Sequence, residues 1–548
     1  MPFNPSGQSA DYHYLVEFHL DSTTLRFADE DISIQHSNTT GFFYEGKLPQ
    51  IGSLNRQLSS FIEPKETLQS FDIVIDNTDE KIQTYIKDMT FANREVNVFL
   101  GEGESIANYS VVFPGNVAHP AGIQWDEDAA QITIIDRRLK DRRNLPKTDF
   151  TSTDFPNLQR NASGLSVPII YGDYSSAHTN SISVLAYCIS TTAANKRFKV
   201  ADHRINSLDR VLQNGLVVDY QNVSLDNATF ELVGTYNATN DIITANVKGV
   251  ETLGGTLIET PQDVLKSILT TQLEVSTNSI NLTAFTDINV NVDDKCRRVI
   301  RDDISSETLV GELINEAGIE LRFVGGKYSP VYRLITDKST QALRGDNLLT
   351  IDESDLVLED ITTDKAAISF QRDTERTFAN KVKASYNFDS VFGYYLGDYE
   401  QTVTSSVAAV SSVVERPMSF NWLYEKDDVV ARVQRELVQY SVEPTEVTAT
   451  VSHKLLQRDL ADVFLLDYNI FDNRAFQIRR LDTNLASMTT TVVGFGLDSI
   501  ALGNWTDDSV PSYTAASIQQ QFDSGWWANN DGFVVSGVTA TKDISIWF

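Results

Sequence analysis

The feature that most limits the fold of this chain is a recurring short-strand pattern. Tyr12-His-Tyr-Leu-Val-Glu-Phe-His-Leu20 alternates side to side and is rich in aromatic and β-branched residues, the period of a strand with one face on a core. Ser70–Ile75, Val96–Leu100, Tyr109–Val112 and Gln131–Ile135 repeat the signature, separated by turn residues such as Asp76-Asn77 and Gly101-Glu102-Gly103. Short strands at this spacing predict an antiparallel barrel or sandwich over residues 1–145, closed by Leu145-Pro146.

Beyond it the pattern changes. Residues 146–255 read as a loop-containing β domain: an irregular stretch, then Val167-Pro-Ile-Ile-Tyr-Gly-Asp173, then short Asn- and Thr-rich strands. Helices begin only after that. Thr260-Pro261 supplies an N-cap and a first-turn proline, with Val264, Leu265, Ile268 and Leu269 on one face. A second helix is predicted over 306–317, ended by Gly318, with the strand Ile319–Val324 after it, so 256–368 reads as α+β. Residues 369–500 return to strands at Asn380–Phe388, Thr445–Leu455, Val463–Leu466, Ala475–Leu481 and Met488–Val493, around a helix over 425–440, and read as a second barrel-like module. The expected class is mainly β with α+β insertions, multidomain. Residues 501–548 form an aromatic C-terminal extension holding Trp505, Trp526, Trp527 and Trp547, four of the six tryptophans.

Composition narrows the function. With 45 Lys+Arg against 75 Asp+Glu, the 548-residue chain carries a formal charge of −30. That opposes tight sequence-independent binding of nucleic acid, which needs clustered cations, and adhesion to anionic lipid. Two cysteines, Cys188 and Cys296, make neither a disulfide scaffold nor a zinc framework. The N-terminal residues lack the basic and apolar regions of a secretory signal. No run approaches 18 apolar residues, so no membrane insertion is expected.

Chemistry is sparse. None of the seven histidines forms HExxH or a chelating pair on one helix face, and those within strands read as structural. Asp202-His203 is a lone His–carboxylate neighbour pair. There is no GxSxG elbow, and Gly101-Glu-Gly103 reads as a hairpin turn. Asp126-Glu127-Asp128 and Asp293-Asp294 could ligate calcium but lack the glycine turn and distal glutamate of a dedicated loop. No catalytic residue, metal ligand or cofactor is assigned.

Two features invite an interface reading. The run Arg137-Arg-Leu-Lys-Asp-Arg-Arg143 concentrates positive charge in an acidic chain. Arg137, Arg138, Arg142 and Arg143 either dock an acidic neighbouring subunit through bidentate guanidinium geometry or form a solvated link between modules. In the extension, Trp526, Trp527, Trp547 and Phe548 either anchor a partner or fill a satellite core; the polar connector before them favours the inter-subunit contact.

The order of these segments resembles the hub or tail-tip (baseplate central hub) proteins of tailed bacteriophages. The residues that carry the resemblance are Thr24-Leu-Arg-Phe27, Phe43-Tyr-Glu-Gly-Lys-Leu48, Phe71-Asp-Ile-Val-Ile-Asp-Asn77, Val96-Asn-Val-Phe-Leu-Gly101, Phe113-Pro-Gly-Asn-Val117 and Gln131-Ile-Thr-Ile-Ile-Asp136. Val167–Asp173 with Ala186-Tyr-Cys188, then Ile314-Asn-Glu-Ala-Gly318, Asn380-Lys-Val-Lys383 and the 425–481 unit, continue it to about residue 500. The resemblance implies a non-enzymatic virion protein at the tail tip. It implies a homotrimer whose paired barrel-like modules form a pseudo-sixfold ring, joining a hexameric tail tube to a threefold spike, plug or fibre. Genomic DNA would then pass only in transit, repelled by acidic side chains along the channel. The competing classes are a receptor-binding tail adhesin and a tail-associated peptidoglycan hydrolase.

Overall fold

The computed structural model describes residues 12–37, 39–58, 70–120, 122–177, 181–190, 196–288, 294–332, 349–360, 362, 365–372, 377–456, 458–469, 471–485 and 487–496, and three short strands beyond them. The chain is mainly β and multidomain, as the strand pattern predicts.

The first module is a sheet that returns on itself. Tyr12–His19 pairs antiparallel with Thr24–Ala28 on one side and Glu95–Glu102 on the other. The ladder continues through Tyr109–Val117, Ala129–Asp136 and Ser70–Asp76. The stretch after Gly46 then bridges the two ends. Gly46 lies opposite Ala28, Leu48 N donates to Ala28 O at 3.0 Å, Asp76 N donates to Lys47 O at 2.8 Å, and Gln50 lies opposite Val74. Val16, Phe18, Ile73, Val96, Val98 and Ile132 fill the interior. Tyr12–His19 is buried on both faces because the hairpin Ile32–Ser37/Thr40–Gly46 covers its outer side, where Leu15, Ala28, Ile34 and Tyr44 form a second small core.

The second barrel-like module repeats this device. Ile368–Arg372, Thr445–Val451, Thr489–Gly496, Phe471–Asn484 and Val463–Tyr468 pair in that order, antiparallel throughout. Leu349–Asp352 runs parallel to Val463–Tyr468. The chain then crosses to the opposite edge, where Ser452 N donates to Asp355 O at 3.0 Å and Val357 N donates to Thr450 O at 2.9 Å. Ile351, Val447, Phe464, Phe476, Ile478 and Val492 occupy its core.

A strand links the two modules. Leu54–Gln57 leaves the first module and pairs antiparallel with Thr483–Arg480 of the second. Leu54 faces the first core, which also receives Leu456 and Leu485 from the second module, while Leu58 packs on the second core. Arg56 meets Asp459 at 2.5 Å across the joint.

Between the barrels lie a two-sheet β domain around Val184, Phe198, Val211, Phe230 and Val247 and an α+β core. The helix Ser306–Ala317 is fixed at both ends as its sequence predicts: Ser305 Oγ accepts from Thr308 N at 3.1 Å, and Gly318 takes the left-handed φ of +67°. At the helix Pro261–Ser267, Thr260 does not cap the backbone, because its hydroxyl donates to Asp263 Oδ2 at 2.8 Å. The strands Lys381–Asp389, Tyr394–Thr402 and Glu415–Ser419 and the helix Lys426–Tyr440 lie between two strands of the second barrel in sequence. Their Val382, Ala384, Trp422, Val429 and Leu437 nonetheless pack into one core with Leu265, Leu309 and Leu313. Residues 380–440 are therefore an insertion carried on the α+β core.

Candidate functional site

The arginine run sits where the first barrel meets the α+β core. The barrel's last strand, Ala129–Asp136, passes directly into the short 3-10 turn Arg137–Asp141. Arg137 reaches back to Glu95 at 2.7 Å and donates to Asn97 Oδ1 at 3.0 Å. Arg138 forks onto Asp136, the nearest contact 2.5 Å, and its guanidinium lies 5.2 Å from the centre of the Phe323 ring. Arg142 pairs with Glu307 on the first turn of the helix Ser306–Ala317. Arg143 donates to Leu273 O at 2.7 Å, just past the end of a helical segment. Its backbone exchanges hydrogen bonds with Ser306, N to Oγ at 3.2 Å and Ser306 N to O at 2.8 Å. All four guanidinium groups thus have partners within the chain; Arg142, Arg143 and the Arg138–Phe323 contact join the first module to the α+β core, while Arg137 bonds back into its own sheet. The side chains of Arg137 and Arg138 are 13% and 11% exposed, against 38% and 35% for Arg142 and Arg143, so only the latter two present much surface.

Beside these contacts lies an open pocket of about 110 Å³. Leu269, Val310, Ile314 and Leu321 line it together with the cations Arg138 and Arg142 and the acids Asp141 and Glu307. At the rim, Tyr328 donates to Asp141 Oδ2 at 2.9 Å, and burial together with that carboxylate pushes the Tyr328 hydroxyl pKa strongly upward. Burial and the neighbouring Arg138 hold the Arg142 pKa below its ordinary value.

In the aromatic extension the structure describes backbone pairing at three short strands. Trp526 lies opposite Trp547 and Trp527 opposite Ile546 in an antiparallel pair, and Trp505 lies opposite Gly525 in a parallel one. Phe548 lies outside the described residues.

Several buried charges carry no sequence signal. Glu316, fully enclosed, accepts the backbone N–H groups of Asn421, Trp422 and Leu423 at 2.8, 2.8 and 3.1 Å. Burial outweighs these donors and pushes its carboxyl up to about 7. Arg432 donates to Glu316 O at 2.9 Å and Asn315 O at 3.0 Å, closing the end of the helix Ser306–Ala317 from the helix Lys426–Tyr440. Arg297 lies between Tyr174 and Tyr424, 5.1 and 4.2 Å from their ring centres, and donates to Asn387 Oδ1 at 2.6 Å. Each partner is far away in sequence, so no local pattern marks these residues.

The residues considered for chemistry are placed as follows. Asp126 Oδ1 accepts from Asp128 N at 3.0 Å and Ala129 N at 2.8 Å, closing an exposed turn. Asp294 faces Arg435 at 3.4 Å, and Asp293 lies outside the described residues. His203 makes its hydrogen bonds elsewhere than to Asp202: its Nε2 accepts from Ile170 N at 2.9 Å and its Nδ1 donates to Arg204 O at 2.8 Å. Among the described residues no group of three His, Cys, Asp or Glu side chains could hold a metal ion, and no helix is long and apolar enough to cross a membrane.

No protein-family profile matches the chain, and no curated protein matches it. Among solved structures it is similar to a chain of the virion of a native gene transfer agent particle (12% identity, TM-score 0.44, covering 66% of this chain and 92% of that one). It is also similar to a tail protein from Neisseria meningitidis MC58 (9% identity, TM-score 0.35, 88% and 96% covered). A third is the prophage MuSo2 43 kDa tail protein from Shewanella oneidensis (10% identity, TM-score 0.38, 85% and 97% covered).

Proposed function

We propose that this chain is a structural virion protein, the trimeric hub at the distal end of a phage-type tail. The observation that supports the reading is the pairing of two barrel-like β modules in one chain, each with a segment that crosses between its sheet ends, joined through the strand Leu54–Gln57. A rigid pair of similar modules is what a threefold assembly needs to offer six similar positions to a hexameric tube while seating a threefold spike, plug or fibre on its own axis. A ring of this kind closes through heterologous contacts when the rotation permits. The sequence resemblance supports the same assignment, including the tail-tip location and a role without catalysis.

The −30 charge fits a conduit. Acidic side chains along the axis would repel passing phosphates and keep DNA from sticking, an effect that weakens as salt rises.

Mass photometry of the full chain and cryo-electron microscopy of assembled particles test the reading. A trimer that occupies the tail tip beneath the tube is the expected result. A chain that stays monomeric and never enters the particle would overturn it.

A further inference from the structure

The two barrel-like modules share one strand frame. In the first, Ala130 of the last strand lies opposite Ile75 on one side and Trp125 on the other. In the second, Thr490 of the last strand lies opposite Val451 and Thr483 in the same way. Ala130, Ile75, Thr490 and Val451 are all fully buried, so the frames agree in face as well as in order. Two residues before Ile75, Ile73 lies opposite Ile51; two residues before Val451, Ala449 lies opposite Ile368. Ile51 and Ile368 therefore hold the same place. The next interior-facing residue is Leu54 in the first module, one position late because Gly52-Ser53 breaks the alternation, and Phe370 in the second. The ring of Phe370 lies 4.8 Å from that of the core residue Phe471. From there the two stretches read alike, Leu54-Asn-Arg56 and Phe370-Gln-Arg372: apolar, amide, arginine.

These equivalent stretches are used differently. Leu54–Gln57 pairs with the second module, Leu54 opposite Thr483 and Arg56 opposite Leu481. Ile368–Arg372 pairs with Thr445–Val451 on its inner edge, and among the described residues no strand takes its outer edge. Ser369 to Arg372 are exposed in succession, with the Arg372 side chain 73% in solvent. The matching acceptor is bare as well. Trp125 and Ile123 stand in the first module where Thr483 and Leu481 stand in the second, and among the described residues Ile123–Trp125 pairs only with Ala129–Asp136. Trp125 is 51% exposed and Phe370 37%. Backbone phase agrees with this match. Thr133 N donates to Gly122 O and Asp126 N to Ala129 O, so the alternation of an antiparallel ladder turns the N–H and C=O of Ile123 and Trp125 outward. Thr450 N donates to Ala367 O, which by the same alternation turns those of Phe370 and Arg372 outward.

We propose that Ile368–Arg372 of one copy pairs antiparallel with Ile123–Trp125 of the next, Phe370 opposite Trp125 and Arg372 opposite Ile123. The contact repeats between chains the joint that Leu54–Gln57 makes within one, so the two kinds of joint alternate around the ring. It covers two open strand edges and brings two exposed aromatics together as a cross-strand pair. The inference rests on the trimeric reading and specifies which edges meet.

The test uses the full chain. Gln124 and Gln371, both exposed, fall opposite each other between the hydrogen-bonded pairs, where strands approach most closely. Q124C with Q371C is oxidised and run on a non-reducing gel, where covalent species up to a trimer are expected; the native Cys188 and Cys296 are both buried. Q124C with R372C, which places the thiols on opposite faces of the joined sheet, should cross-link far less. W125E, compared with the parent by mass photometry over a dilution series, should weaken the trimer by roughly tenfold or more, the scale of one buried large side chain. A trimeric parent whose Q124C/Q371C variant gives no cross-link, or gives one only within a single chain, overturns the joint and leaves the hub reading standing. So does equal cross-linking by the two cysteine pairs, or a W125E trimer that dilutes like the parent. A covalent dimer that goes no further overturns its repetition around a ring. A parent chain that is monomeric at every concentration overturns both.

Discussion

Glu316 accepts the N–H of Trp422 at 2.8 Å although the two residues are 106 positions apart, and the same carboxylate holds Asn421 and Leu423. One side chain thereby fixes the loop ahead of the helix Lys426–Tyr440 against the end of the helix Ser306–Ala317.

That arrangement has a definite pH signature. Burial raises the Glu316 carboxyl from its ordinary 4.5 to about 7, so the folded state binds a proton more tightly than the unfolded chain does. Its contribution to stability is complete below about 4.5 and is lost as pH rises through about 7. E316Q keeps an acceptor and the shape but cannot ionise, so it should flatten this pH slope. E316A leaves three N–H groups without their acceptor, at about 1–3 kcal/mol for each that stays buried. Amide exchange of Asn421, Trp422 and Leu423 between pH 5 and 8 checks both. A slope in E316Q identical to that of the parent would assign the pH dependence elsewhere.

His203 works in the opposite direction. Its ring accepts from Ile170 N and donates to Arg204 O, and burial lowers its pKa, with Lys199 pushing the same way and Asp202 opposing. Protonation of Nε2 would put a donor against the Ile170 N–H. Stability from this contact is therefore present above the ordinary histidine value of 6.5 and lost as pH falls through the depressed one. Exchange of the Ile170 amide should accelerate on acidification in the parent. In H203L it should be fast at every pH, because no acceptor remains.

The joint between the barrels predicts a packing cost. Leu54 is 5% exposed and lies in the first core although its strand pairs with the second barrel. L54A should cost about 2–5 kcal/mol, read as a lower urea midpoint. If the two barrels unfold as one unit through this strand, probes in both, near Phe18 and near Phe476, should shift together. A shift confined to the first barrel would show that the strand does not couple them.

How much of this was legible depends on how local each cause is. The strand Tyr12–His19 declares itself through its own alternation, and the helix Ser306–Ala317 is bracketed by Ser305 and Gly318, residues whose effect reaches only a few positions. Leu-Asn-Arg-Gln at 54–57 has no period to read, and its partner strand lies more than 420 residues onward. The basic run 137–143 was visible as charge, but its intrachain acids Glu95, Glu274 and Glu307 are brought to it only by tertiary packing.

Salt separates two ways of holding the proposed trimer together. Each chain carries −30, so bringing three together raises a long-range repulsion that extends over ~30 Å at 0.01 M salt and only ~8 Å at 0.15 M. Apolar burial is barely affected by that screening, whereas ion pairs across an interface lose strength with it. If apolar burial dominates, the trimer should tighten as salt rises from 0.01 to 0.5 M, with most of the gain below 0.15 M where the repulsion is being screened. Sedimentation velocity across that range measures it. A trimer that loosens with salt would mean that interfacial ion pairs hold it, with exposed Arg142 and Arg143 the first cations to substitute.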